Sequence, residues 1–251
     1  MGLLLRDMGE WRGFCKCGKG LVMCAFKVTI VTLFPEAFPG LLGMSVLGRG
    51  LRDGIWELEV VNIRDFALDK HKTVDDTPYG GGAGMVLRAD IVAVALRAAK
   101  AANPGALTVY MGPAGKRFVQ GTAREMAVGA GLIVLCGHYE GIDERVLEAE
   151  VDEVVSVGDF VLSGGENAAM CVVDAVVRLL PGVLGADASL HEESFDIVDE
   201  NGTALVEYPH YTRPVAWEGR AVPEILTNGN HKEIAKWRLS EAKRRTAKVK
   251  G

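Results

Sequence analysis

The sequence predicts an α/β chain: a parallel sheet with helices on both faces, followed by a small helical domain. Three observations carry that reading. Between residues 26 and 180, short β-branched and apolar runs alternate with segments of helical period, as strand–helix–strand units do. The alternation stops at Pro181, and residues 181–214 are polar with little periodicity. After that break the chain closes on a basic helical pattern.

Taken in order, Phe26–Leu33 (FKVTIVTL) is β-branched and apolar, as a buried strand should be. Pro35 then opens a helical pattern reaching Arg52, and Trp56–Asn62 reads as a second strand. Residues 63–86 are a long polar, glycine-rich loop. Helices are predicted over Ala89–Ala102, Gln120–Val128, Glu144–Glu150 and Asn167–Leu180, and strands over Leu107–Tyr110, Leu132–Cys136 and Glu153–Val157. Asn230 with Glu233 three positions on makes a capping-box-like start for a last helix running towards Lys250. The predicted division is an extension over 1–24, an α/β domain over 25–184, a mobile linker over 185–209 and a helical domain over 210–251. The extension lacks strand or helix periodicity and the apolar core of a signal peptide, so it is expected to be poorly ordered; Met23 offers an alternative start.

Composition narrows the function classes. With 49% hydrophobic and 24% charged residues the chain reads as globular, and no apolar run approaches the roughly 20 residues of a membrane helix. The net charge of −5 argues against a polycation that coats nucleic acid, but the charge is uneven. Residues 232–250 carry eight basic and two acidic side chains, which suits an anionic partner at one end of an acidic body, or else a solvated helix face. The five cysteines do not form a disulfide framework, and Cys15, Cys17 and Cys24 have neither the spacing nor the nearby histidine of a zinc site. A reducing cytoplasm follows as the expected compartment. A Mg2+ requirement has no sequence signature here.

Ligands of an open parallel sheet bind in the loops that follow its strands. Three such loops are glycine-rich: Met111-Gly112-Pro113-Ala114-Gly115, Gly137-His138-Tyr139-Glu140-Gly141, and Gly158 through Glu166. Each alone could be a simple turn; three in succession point to a ligand approached closely by backbone. Neither G-x-G-x-x-G after the first strand nor G-x-x-x-x-G-K-[ST] occurs, which disfavours dinucleotide dehydrogenases and P-loop ATPases. The loops offer little Lys or Arg for phosphate, so an adenosine with a small uncharged or zwitterionic tail fits better. The segment His71–Met85 sets Asp75, Asp76 and Tyr79 beside Gly80, Gly81, Gly82 and Gly84, suited to wrapping a polar substrate or to a solvated turn.

Together these segments resemble the bacterial tRNA (guanine-N1)-methyltransferases of the trefoil-knotted SPOUT superfamily. The likeness covers about residues 27–246 and rests on motifs in one order: Leu33-Phe34-Pro35-Glu36, Val74-Asp75-Asp76 with Pro78-Tyr79-Gly80-Gly81-Gly82, Cys136-Gly137 with Tyr139-Glu140-Gly141-Ile142-Asp143-Glu144-Arg145, Gly158-Asp159 with Gly164-Gly165-Glu166, Pro209-His210-Tyr211-Thr212-Arg213-Pro214, and Lys236-Trp237-Arg238. The resemblance implies a deep trefoil knot holding S-adenosylmethionine among Tyr110, Gly112, Pro113, Gly137, Tyr139, Glu140, Gly141, Val157, Gly158, Asp159, Phe160, Val161, Leu162, Gly164 and Gly165. It also implies a homodimer with its active site at the subunit interface. The target would be N1 of the guanosine 3′ of the anticodon, position 37, with the tRNA anticodon arm gripped by the C-terminal domain.

Guanine N1 carries a proton, so the reaction needs a base near N1 and a positive group near O6. By resemblance Arg178 serves O6, although Asp174 at i, i−4 is also a natural ion-pair partner for it. The family's base is an aspartate before Ser-Phe; here Glu193 precedes Ser194-Phe195, one methylene longer, with Asp196 and Glu192 as fallbacks. His138, where relatives often carry arginine, is read as a loop residue, and Ala168 stands where proline is common. Asp75, Arg213, Lys236 and Arg238 are the expected tRNA contacts. Two other readings stay open: a non-catalytic RNA-binding or sensor module, and a related knotted RNA methyltransferase with another target. A hydrolase built on Asp75/Asp76 or Glu192/Glu193 is a third.

Overall fold

The computed structural model describes residues 14–17, 20–23, 25–184 and 193–250, the first two segments and residue 250 by backbone alone. The chain divides between Leu184 and Gly185 into two compact units. The fallback base Glu192, and most of the predicted N-terminal extension, lie outside the described residues.

In the first unit, β1 (Phe14–Cys17) and β2 (Gly20–Met23) pair antiparallel within the stretch that showed no sequence periodicity. The core is a five-stranded parallel sheet of β3 (Phe26–Thr32), β4 (Trp56–Asn62), β7 (Leu107–Arg117), β8 (Gly131–Cys136) and β9 (Glu153–Ser156), in the spatial order β4-β3-β8-β7-β9. Two short strands, β5 (Asp75–Asp76) and β6 (Val86–Leu87), pair antiparallel inside the segment read as a structureless loop. The helices of this unit are α1 (Ser45–Arg52), α2 (Ala89–Ala102), α3 (Gln120–Ala127), α4 (Glu144–Glu150) and α5 (Glu166–Val177).

The central strand β8 is buried at every residue, which is why its sequence LIVLC is unbroken by polar side chains. Its side chains alternate between two cores. Leu132, Val134 and Cys136 join Val28, Ile30, Val109 and Met111 on the face covered by α1, α3 and α5. Ile133 and Leu135 join Val31 on the face covered by α2 and α4. At the sheet's end opposite the glycine-rich loops, buried Asn103 donates to the Lys27 carbonyl (3.0 Å), the Leu132 carbonyl (3.2 Å) and Thr29 Oγ1 (3.3 Å), tying α2 to two strands.

Two predicted boundaries need correction. The helical pattern from Pro35 to Arg52 is not one helix: single 3-10 turns occupy Pro35–Ala37 and Gly40–Gly43, and only Ser45–Arg52 is α-helical. Pro39 disfavours helical backbone at Phe38, which ends the first turn, and Gly40 opens the second with a left-handed φ of 50°. The strand predicted over Leu107–Tyr110 continues to Arg117, carrying the first glycine-rich segment within it. A register shift between Met111 and Lys116 absorbs the extra residues while Lys116 and Arg117 still pair with Val155 and Ser156.

In the second unit a hairpin of β10 (Ala216–Trp217) and β11 (Arg220–Ala221) precedes α6 (His231–Lys250). The Asn230 carboxamide oxygen accepts from Glu233 N at 3.3 Å, the predicted cap. Thr246 on α6 donates to the Ala242 carbonyl (2.8 Å) and accepts from Val206 N (2.8 Å), and Arg245 donates to the Glu207 carbonyl (3.1 Å). Residues 193–209, read from sequence as part of a linker, therefore pack with α6, with Leu205 and Tyr208 buried beside Ala242 and Thr246.

Candidate active site

The site is built at the C-terminal edge of the sheet around Tyr110, whose phenol is pushed above the ordinary tyrosine range chiefly by burial and secondarily by the charge of Glu144. Two loops close on this ring only because they carry glycine. A Cβ at Gly112 would lie 2.8 Å, and one at Gly137 2.7 Å, from Tyr110 side-chain atoms. Gly141 turns the chain with a left-handed φ of 111°, and a Cβ there would lie 3.4 Å from the Tyr110 hydroxyl. Tyr139 itself sits at φ 60°, a strained position for a bulky residue and one that turns its ring outward, half exposed.

The third loop, between β9 and α5, lies directly on the second. Gly165 N–H donates to the Gly137 carbonyl at 2.9 Å, and a Cβ at Gly165 would stand 2.8 Å from Cys136 Cα. His138 and Gly164 form an isolated antiparallel bridge. The three loops enclose one cleft of about 190 Å³, lined by residues 110–113, 137–141, 155–158 and 160–165 together with Ala168. Of the residues named for the cofactor, Asp159 alone is off this lining; it is exposed and faces Arg117 at 3.7 Å.

The glycine-rich early loop abuts the same place. Glu140 N donates to the Met85 carbonyl (3.0 Å) and Leu87 N to the Gly141 carbonyl (3.0 Å), so the β5–β6 ladder that holds Asp75 hangs from the second pocket loop. A side chain at Gly84 would overlap Glu140.

Arg178 caps the C-terminus of α5, about 18 Å along the helix axis from Glu166 at the pocket end, and is not on the lining. Its charge acts on Asp174, whose carboxyl burial nevertheless raises above the ordinary range. Glu193 belongs to the second unit, where its carbonyl accepts from Asp196 N at 3.1 Å. In that unit Arg213 is exposed, Lys236 pairs with Glu233 at 2.8 Å, and Arg238 lies over the Tyr208 ring at 4.7 Å. Among the described residues, no group of three or more His, Cys, Asp or Glu is arranged to hold a metal ion. No helix among them is long and apolar enough to cross a membrane.

The residues named for the cofactor left out Met111, His138, Val155, Ser156, Ser163 and Ala168, all on the lining, and Glu166 behind them. The Glu166 carboxylate meets His138 Nε2 at 2.7 Å and Thr32 Oγ1 at 2.6 Å. The only available signal was a carboxylate immediately after Gly164-Gly165, at the start of a helix.

The family model described as tRNA (Guanine-1)-methyltransferase TrmD matches residues 26–250. The chain belongs to this family. A curated relative from Novosphingobium aromaticivorans, named tRNA (guanine-N(1)-)-methyltransferase, is 58% identical over 217 residues, 86% of each chain. Relatives of the same name from Mesorhizobium japonicum and Brucella canis are each 54% identical over 221 residues, 88% of this chain and 93% and 87% of theirs.

Proposed function

We propose that this chain transfers a methyl group from S-adenosylmethionine to N1 of the guanosine at tRNA position 37, 3′ of the anticodon. The observation that carries the reading is the convergence of three glycine-rich post-strand loops on one cleft beside Tyr110. The donor fits that cleft by its chemistry. No lysine or arginine lines it, as suits a ligand without phosphates, and Glu140 supplies a carboxylate for a sulfonium or an amino group. Glycines 112, 137 and 165 leave room where any Cβ would collide. When bound, the donor supplies a methyl carbon activated by its sulfonium.

The chain's own residues do the rest. The Glu193 carboxylate takes the N1 proton, and the Arg178 guanidinium faces O6, where negative charge develops as N1 becomes nucleophilic. The loop after β9 lying against the loop after β8, through Gly165 and Gly137, supports the deep trefoil knot. A homodimer with a shared active site is supported by two features. Arg178 is remote from the cleft within one chain, and Phe160, Val161 and Leu162 expose an apolar rim beside it. Asp75 reaches the target base region, while Arg213, Lys236 and Arg238 grip the anticodon arm in a small helical C-terminal domain, with the work done in the cytoplasm.

The test is transfer of labelled methyl from S-adenosylmethionine to unmodified tRNA bearing guanosine at position 37. Label should appear and be abolished by guanosine-to-adenosine substitution there. Cofactor binding without transfer would favour a sensor module, and label surviving the substitution would favour a knotted methyltransferase with another target.

A further inference from the structure

A polar relay outside the residues assigned above joins three elements behind the cleft. Thr32, at the end of β3, accepts from Phe34 N (2.9 Å), which leaves its own hydrogen for Glu166 Oε1 at 2.6 Å. Glu166 Oε2 meets His138 Nε2 at 2.7 Å, and the Phe34 ring packs on the imidazole with centroids 4.7 Å apart. The relay is shielded: the His138 and Glu166 side chains are 16% and 12% exposed. With the hydroxyl committed to Oε1, the other oxygen is served by an Nε2–H, so the carboxylate also selects the imidazole tautomer.

We propose that His138 and Glu166, anchored by Thr32, are positioning residues that clamp the loop after β8 to the start of α5 and so set the affinity for the adenosine-bearing methyl donor. This rests on the reading of the cleft given above. His138 lines the cleft whereas Glu166 stands behind it, so the pair shapes the binding walls without reaching the transferred methyl. The clamp spans 28 residues of sequence and braces the Gly165-to-Gly137 backbone bond and the His138–Gly164 bridge beside it.

The experiment is calorimetric titration of the full chain with S-adenosylmethionine, alongside kcat at saturating donor. Glu166→Gln and His138→Ala should each weaken donor binding about tenfold while kcat stays within about threefold. Their double variant should be no more than about twofold weaker than either alone, because both remove one interaction. Should Glu166→Gln fail to fold, His138→Ala carries the test through the split between donor affinity and kcat. Unchanged affinity or additive losses would overturn the clamp. Failure of the wild type to bind the donor would instead overturn the reading of the cleft, and the clamp with it.

Discussion

Gly165→Ala isolates the contact on which the site's architecture turns. Gly165 has φ −78° and ψ −11°, a backbone conformation that alanine adopts freely, so any penalty comes from space alone. The added Cβ would stand 2.8 Å from Cys136 Cα, 3.0 Å from Gly137 N and 3.1 Å from Cys136 Cβ. Carbon atoms rest about 3.5–4.0 Å apart, so one loop must retreat by roughly 1 Å. Two of the obstructing atoms are backbone of the buried strand end, which cannot swing aside as a side chain would. Retreat also stretches the 2.9 Å bond from Gly165 N to the Gly137 carbonyl. Overpacking of about 1–3 kcal/mol plus a weakened buried hydrogen bond of about 1 kcal/mol gives a loss of about 3 kcal/mol. That corresponds to a Tm about 6–12 °C lower for a unit of this size, measured by calorimetry. Donor affinity should fall by about tenfold or more, because the same two loops wall the cleft. Gly121→Ala is the control: it lies in α3 with nothing within 4 Å and should stabilise by about 0.5–1 kcal/mol. A Gly165→Ala protein with wild-type Tm and donor affinity would refute the reasoning.

Glu193→Gln should lower kcat by about 10² or more with donor affinity unchanged; activity within a few-fold of wild type would remove Glu193 as the base. Binding of tRNA should weaken steeply between about 50 and 200 mM salt, and Lys236→Ala with Arg238→Ala should flatten that dependence in a filter-binding titration; a salt-independent affinity counts against the basic helix as the grip. Glu150 supplies a pH test of stability: burial pushes its carboxyl up, but the hydrogen bonds from Lys100 and Arg97 outweigh this and hold it below the ordinary range. Its contribution is therefore present above the unfolded value of about 4.5 and is lost as pH falls through the lowered folded value. Glu150→Gln should have a lower Tm than wild type at pH 7, with the two converging in acid; a Tm difference independent of pH would contradict this.

Physical reasons separate what was legible in the sequence from what was not. The strands Phe26–Thr32 and Gly131–Cys136 announce themselves because both faces are covered, so β-branched and apolar residues dominate them. The three pocket loops were legible for a general reason, since ligands gather at strand ends and glycine marks close backbone approach. The continuation of β7 through Met111-Gly112-Pro113-Ala114-Gly115 was not, because turn chemistry in that segment hides a strand paired only at its two ends. Pro35 to Arg52 carried helical periodicity, while Pro39 and Gly40 overrode it locally. The Glu166–His138 contact could not be seen at all: it joins residues 28 positions apart through loops whose crossing no periodicity encodes.

The most direct test of the central claim is nucleoside-level mass mapping of tRNA methylated by this chain with S-adenosylmethionine as donor. The account predicts one product, N1-methylguanosine at position 37, absent when that guanosine is replaced. Methyl on another atom or at another position, or none despite bound donor, would contradict it.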